Sequence, residues 1–159
     1  SGLMRLHIVA IGRLRAGPER ALIADYTARL DRTGRALGLG PLSEHEVEDR
    51  KGGGMAAEAA LLSRAVPAGA ALAVLDERGE AMASPDLAAM LAGWRDGGRQ
   101  DAAFLIGGAD GLAPDLRAKA DRAISLGRMV WPHALARVML AEQLYRAATI
   151  LAGSPYHRA

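Results

Sequence analysis

The chain has 159 residues, 50% of them hydrophobic and 24% charged, with a mean hydropathy near zero, which fits one compact domain with a core of full size. It contains no cysteine, so cysteine nucleophiles, thiolate zinc sites, iron–sulfur clusters and disulfide scaffolds are excluded, and the composition suits a reducing cytoplasm. The 20 basic and 18 acidic residues leave a formal charge of +2; such a chain does not coat nucleic acid by charge alone, and an RNA or DNA partner must be recognised locally.

The longest apolar runs, such as Ala70 to Leu75, fall far short of the roughly 18 residues a bilayer crossing needs. No signal peptide is recognisable, and Ser1, Gly2 and Leu3 ahead of Met4 read as a remnant of cloning, leaving 4–159 as the expected single domain. All cations except Lys51 and Lys119 are arginine. Arginine forks suit phosphates and bases, although a GC-rich coding sequence explains the same bias with no function attached.

Leu6 to Ile11, closed by Gly12, reads as a buried strand. Pro18 suits a first helical turn, and Leu22, Ile23, Tyr26 and Leu30 form a stripe at one-turn spacing. A weaker strand is expected near Pro41 to Val47, followed by a Gly52-Gly53-Gly54 break, a helix from Met55 to Val66 and a strand from Ala70 to Leu75 running into Asp76. Ser84, Pro85 and Asp86 read as N-cap, first helical position and first turn of a helix carrying Leu87, Met90, Leu91 and Trp94. Gly97-Gly98 ends it, and Ala102 to Ile106 is the next buried strand, ending in Gly107-Gly108. The alternation predicts an α/β fold with a mostly parallel sheet of about five strands flanked by helices.

Ligands of such sheets lie beyond the carboxyl ends of the strands, which directs attention to three loops: Asp76 to Gly79, Gly107 to Gly111, and Leu126 to Pro132. The glycines of the second let backbone groups approach a nucleoside or phosphate. It is neither a dinucleotide fingerprint nor a P-loop, and no serine-hydrolase elbow is present. Glu44, His45, Glu46, Glu48 and Asp49 lack a second histidine at ligand spacing and read as a solvated run, so no metal site is expected. His7 reads as structural.

Pro132 opens a helix of roughly twenty residues whose Leu135, Val138, Met139, Leu140, Leu144, Ile150 and Leu151 cover more than one face, calling for a second packing partner besides the sheet. Glu142 and Arg146 make an i,i+4 pair. Beyond Gly153 a tail carries Tyr156, His157 and Arg158, a combination suited to stacking a base and holding a phosphate.

Leu75-Asp76, Phe104 to Gly111, and above all Pro132 to Arg137, Glu142 to Ala147 and Pro155 to Arg158 resemble the RlmH family of ribosomal large subunit pseudouridine methyltransferases, of the SPOUT class. The resemblance runs from Met4 to Ala159, most specifically in the carboxyl half; Ala109 departs from it, standing where the family commonly has proline. It implies a homodimer with a carboxyl-terminal trefoil knot, which ordinary topology rules count against, and methyl transfer from S-adenosylmethionine to N3 of a pseudouridine in 23S rRNA on the assembled ribosome, in the cytoplasm. By matching position it assigns Leu75, Gly107, Gly108, Leu126, Gly127, Arg128, Met129, Val130, Trp131 and Pro132 to the cofactor.

The implied in-line displacement needs no metal and no covalent nucleophile, and alignment can contribute up to about 7–11 kcal/mol. The N3 proton must leave, and His133 and His157 are the candidate bases by their ordinary pKa of about 6.5. Tyr156 is expected to stack, Arg158 and Arg137 to contact phosphate or base, and His157 to touch the target. The alternatives are a catalytically silent ribosome- or RNA-binding factor on the same fold and a SPOUT methyltransferase acting on tRNA.

Overall fold

Ten elements alternate along the chain: β1 (Met4–Ile11), α1 (Pro18–Arg35), β2 (Leu39–Val47), α2 (Gly54–Ala65), β3 (Ala71–Glu80), α3 (Ser84–Asp96), β4 (Asp101–Ile106), α4 (Pro114–Lys119), β5 (Arg122–Ile124) and α5 (His133–Ala152). The computed structural model describes residues 2–158; Ser1 and Ala159, the start of the expected cloning remnant and the end of the expected domain, lie outside the described residues. The five strands form one sheet in the order β2-β1-β4-β3-β5, and every pairing is parallel. Both faces are covered, so the central strands are apolar throughout rather than alternating.

Met4, Leu6, Ile8 and Ala10 of β1 point to one face with Ala71, Ala73, Phe104 and Ile106, and meet Leu30 of α1, Leu87 and Leu91 of α3, and Leu140, Leu144 and Ala148 of α5. Val9, Val74, Ala103 and Leu105 point to the other and meet Leu62 of α2 and Leu116 of α4. The period of two in β1 thus sorts its side chains between two cores. Burying Leu144 or Phe104 completely contributes about 1.5–3 kcal/mol each.

Several boundaries differ from the sequence reading. The N-cap of α3 is Ala83, and Ser84 is already helical; its hydroxyl donates to Gln143 Oε1 at 2.6 Å instead, tying α3 to α5. Leu22 is 43% exposed, so the buried stripe of α1 is Ile23, Leu30 and Gly34. α4 and β5 were not expected: six residues with one buried leucine and three strand residues are too short to show a period. Helix α5 starts after Pro132 and stops at Gly153, whose φ of 71° permits its N–H to donate to Ile150 O at 3.1 Å.

Candidate functional site

Beyond the carboxyl ends of β3, β4 and β5 lies a cavity of about 550 Å³. The three segments singled out in the sequence meet around it: Leu75 to Arg78, Ile106 to Leu112, and Leu126, Gly127, Met129, Val130 and Trp131; the first, expected as a loop after a strand ending at Leu75, belongs to β3, whose register against β5 shifts between Leu75 and Glu80 and so bulges there. Leu75, Ile106, Ile124 and Leu126 supply apolar wall. The loop after β4 is closed on itself by a Gly108–Gly111 bridge, with the Gly111 N–H donating to Gly108 O at 3.0 Å. A Cβ on Gly107 would stand 2.7 Å from Gly111 O, and one on Gly108 would stand 2.9 Å from Glu58 Oε2. Glycine is therefore required at Gly107, where the atoms met are backbone, whereas at Gly108 the Glu58 carboxylate could swing aside.

Two residues expected in this set lie elsewhere. Arg128 is exposed and does not line the cavity, and Pro132 is the exposed N-cap of α5; Met129, Val130 and Trp131 between them line the cavity's open rim and are themselves largely exposed. The carboxylate of Asp76 closes one side. It accepts from the Arg78 N–H at 3.0 Å and pairs with Arg117 Nη1 at 3.1 Å. Burial pushes its pKa up, but the Arg78 N–H and the two guanidinium groups outweigh this and hold it below the usual carboxylate range. The Nε of Arg117 is buried without a partner, a donor left over at the cavity wall. Neither Ile124 nor Arg117 announced itself in the sequence, because β5 and α4 carry no periodic signal.

A second group gathers where β1, β2 and α5 converge. Arg137, 1% exposed, donates through Nη1 to Glu44 at 2.8 Å and to Glu46, and through Nη2 to Gly12 O at 3.2 Å and His133 Nε2 at 2.7 Å. Arg20 of α1 joins the same two carboxylates, and the Leu14 N–H donates to Glu46 at 2.6 Å. Two expectations change here. Glu44 and Glu46 are not a solvated run but the partners of buried Arg137 and half-buried Arg20, and Arg137 lies beneath the surface, where Nη1 and Nη2 donate to protein acceptors rather than an RNA phosphate and Nε is buried without a partner. His133 sits beside it, its pKa lowered by burial and by Arg137. His7 is buried, with Nε2 2.8 Å from Asp101 and Nδ1 3.0 Å from His45 Nε2, as a structural histidine should be.

The tail forms a third group. Tyr156 donates its hydroxyl to Glu142 Oε2 at 2.7 Å, sets its ring against the edge of Tyr145 at 4.8 Å and lies under the Arg146 guanidinium at 4.8 Å. Burial and the Glu142 carboxylate push its phenol above the ordinary pKa. Arg146 also donates to His157 Nδ1 at 3.2 Å, which leaves Nε2 as the protonated nitrogen of a neutral ring. Arg158 is exposed. Through Glu142 this group borders a second cavity of about 580 Å³ between α1, α3 and α5, which shares Leu75, Ile124, Leu126 and Gly127 with the first. Among the described residues, no group of three or more His, Cys, Asp or Glu is placed to hold a metal ion, and no helix is long and apolar enough to cross a membrane.

A family model described as "Predicted SPOUT methyltransferase" matches residues 4–157. Proteins named ribosomal RNA large subunit methyltransferase H from Roseobacter denitrificans and Ruegeria pomeroyi are each 70% identical over 155 residues, spanning 98% of this chain and 99% of theirs. Among solved structures, a probable methylase family protein from Haemophilus influenzae is similar with a TM-score of 0.52 at 13% identity, over 98% of this chain and 71% of that one. A probable methyltransferase from Bordetella pertussis gives 0.52 at 13% identity, over 91% and 95%. At such identities the structural likeness speaks for the fold alone. With a family model covering nearly its whole length and relatives identical at seven positions in ten, the chain belongs to the SPOUT methyltransferases and, within them, to the ribosomal RNA large subunit methyltransferase H family.

Proposed function

We propose that this chain transfers a methyl group from S-adenosylmethionine to N3 of a pseudouridine in the 23S rRNA of the assembled ribosome, acting as a cytoplasmic homodimer. The observation that carries the reading is the meeting of the bulged segment of β3, the loop after β4 and the loop before α5 around one cavity. Its volume of about 550 Å³ falls in the range of about 300–1,000 Å³ common for small-molecule sites. Apolar side chains and bare glycine backbone are the chemistry a nucleoside with an amino-acid arm needs.

Bound S-adenosylmethionine supplies an electrophilic methyl on a sulfonium, so the protein's part is alignment and exclusion of water. Leu75, Ile106, Ile124 and Leu126 enclose the apolar part, while Gly107, Gly108 and Gly127 admit backbone contacts. Met129, Val130 and Trp131 line the rim, and Arg128 and Pro132 flank them. Tyr156 anchors the tail on α5, which leaves His157 and exposed Arg158 to meet the target nucleotide, with His157 as the candidate proton acceptor. Before either ring nitrogen can take the N3 proton, Nδ1 must leave Arg146, since a proton on Nδ1 would face the guanidinium N–H donor to donor.

The trefoil knot belongs to the same reading. Leu126, Gly127 and Met129 to Trp131 line one cavity with Leu75 to Arg78 of β3 and the loop after β4 before α5 returns to pack on α1 and α3, as a threaded carboxyl segment would. The homodimer is supported by the apolar side chains left uncovered on α1, α5 and the loop before it: Leu22, Leu135, Met129 and Val130 are 43%, 41%, 74% and 85% exposed. A net charge of +2 favours recognition by ribosomal shape over bare electrostatic capture.

The reading is tested by offering tritiated S-adenosylmethionine with ribosomes lacking the modification, with a free 23S rRNA fragment and with tRNA. Label in ribosomes well above the fragment is expected. Label in tRNA discards the substrate, and ribosome association without cofactor binding favours a silent factor.

A further inference from the structure

We propose that Arg117, held against Asp76 in the wall of the cofactor cavity, recognises the carboxylate of the cofactor's amino-acid arm, with Asp76 facing the ammonium group of that arm; the proposal rests on the methyltransferase reading above and deepens it. An α-amino acid carries both charges within a few bonds, so a site that reads it needs a cation and an anion side by side. Five charged residues line the cavity: Asp76, Glu77, Arg78, Asp110 and Arg117. Glu77, Arg78 and Asp110 are exposed, whereas the side chains of Asp76 and Arg117 are only 10% and 26% exposed. There a charge is screened least. Three carboxylates against two guanidinium groups leave this wall one net negative charge, opposite a cofactor whose sulfonium and ammonium outnumber its carboxylate by one.

The pair is assembled from separate elements, Asp76 from the bulged stretch of β3 and Arg117 from α4, with Arg117 Nη1 3.1 Å from Asp76 Oδ2. The protein leaves this guanidinium underused. Arg137, whose Nε is orphaned too, spends its Nη groups on four protein acceptors, whereas Arg117 pairs with Asp76 and its Nε has no acceptor. A donor so enclosed is costly to leave unpaired. With Nη1 on Asp76, the free edge of the fork is Nε with Nη2, the edge by which Arg5 grips the Asp101 carboxylate at 2.8 and 2.9 Å. Asp76 keeps capacity of its own: Oδ1 accepts from the Arg78 N–H at 3.0 Å, and a carboxylate has about four acceptor sites. Arg117 and Asp76 therefore present a second carboxylate and an ammonium group with complementary charges at adjacent points.

The test uses the whole chain and two pairs of ligands. S-adenosylmethionine and its decarboxylated form differ by the carboxylate; S-adenosylhomocysteine and 5′-methylthioadenosine, both uncharged at sulfur, differ by the arm. Calorimetric Kd values are taken for wild type, Arg117→Met, Arg117→Lys and Asp76→Asn. Wild type should bind S-adenosylmethionine at least about tenfold more tightly than the decarboxylated form. R117M should bind it about 10- to 100-fold more weakly while the decarboxylated form and 5′-methylthioadenosine move by less than about threefold, so the discrimination disappears. R117K, a charge without the fork, should lose part of it. D76N should weaken S-adenosylhomocysteine and spare 5′-methylthioadenosine. If R117M lacks the wild-type circular-dichroism spectrum, R117K carries the test. The proposal is overturned if wild type binds the two sulfonium ligands alike, if the Arg117 variants weaken every ligand equally, as loss of a merely structural pair would, or if they change no Kd. Failure of the wild type itself to bind S-adenosylmethionine would instead overturn the methyltransferase reading, and this proposal with it.

Discussion

Adding one methyl group at Gly107 probes the cavity where it is tightest. In Gly107→Ala the new Cβ would lie 2.7 Å from Gly111 O, 2.8 Å from Gly111 C and 3.1 Å from Leu112 Cδ2. Two of these are backbone atoms of the same closed loop, so no side chain can swing aside and the loop must open by several tenths of an ångström. Overpacking that shifts backbone costs about 1–3 kcal/mol. If the free loop relaxes and the ligand must restore its shape, that energy appears as about 5- to 150-fold weaker binding of S-adenosylmethionine. Titration calorimetry measures it, with Gly93→Ala as control: that position lies on exposed α3 with nothing within 4 Å of the added carbon, so it should gain about 0.5–1 kcal/mol of stability and bind as wild type does. A G107A chain that binds within twofold of wild type would refute the claim that this loop's backbone shapes the cofactor site.

Between β3 and β5, Gly79→Ala places a Cβ 2.6 Å from Ala123 C and should part the two strands at a cost of about 1–3 kcal/mol, read from urea unfolding; an unchanged midpoint contradicts the packing. Asp101 is held down to about 2 by the fork of Arg5, with burial opposing and His7 assisting. A depressed carboxyl stabilises fully above its ordinary pKa, so on the order of 2 kcal/mol should be lost as pH falls from about 4 towards 2. Asp101→Asn should flatten that part of the acid-unfolding curve, and an identical acid limb would sink the assignment. His157→Ala should lower single-turnover methyl transfer at saturating cofactor and ribosomes by about 100-fold or more if the imidazole takes the N3 proton; full turnover removes it from the chemistry.

β1, β3, β4 and the long helices were legible because each carries an apolar run or a 3.6-residue stripe, and β2, whose Ser43 to Glu46 are polar, showed only as a weaker strand. β5 and α4 were not, since Arg122–Ile124 and Pro114–Lys119 are too short for a period and take their shape from neighbours. The three segments of the cavity were legible through a rule about strand ends, although Asp76 to Gly79 prove to be a bulged stretch of β3 rather than a loop after it, and the rule could not say which residues within Leu126 to Pro132 line the cavity. The tail group was half visible: Glu142 and Arg146 showed as an i,i+4 pair, but the reach of Tyr156 back to Glu142 is a tertiary fact. The hardest reading was Arg137. From sequence, a surface helix arginine and a buried one are the same letter, and only the convergence of Gly12 at the end of β1 with Glu44 and Glu46 of β2 shows that this one faces inward. The same convergence turned an acidic run that looked solvated into a counter-charge.

The central claim concerns one atom of one nucleoside, and it is tested most directly by digesting ribosomes labelled by this chain and identifying the nucleoside that carries the methyl group. The account predicts label in N3-methylpseudouridine from the large subunit, lost when Gly107 is replaced. Label in any other nucleoside, or none from a chain shown to bind both S-adenosylmethionine and ribosomes, would contradict it.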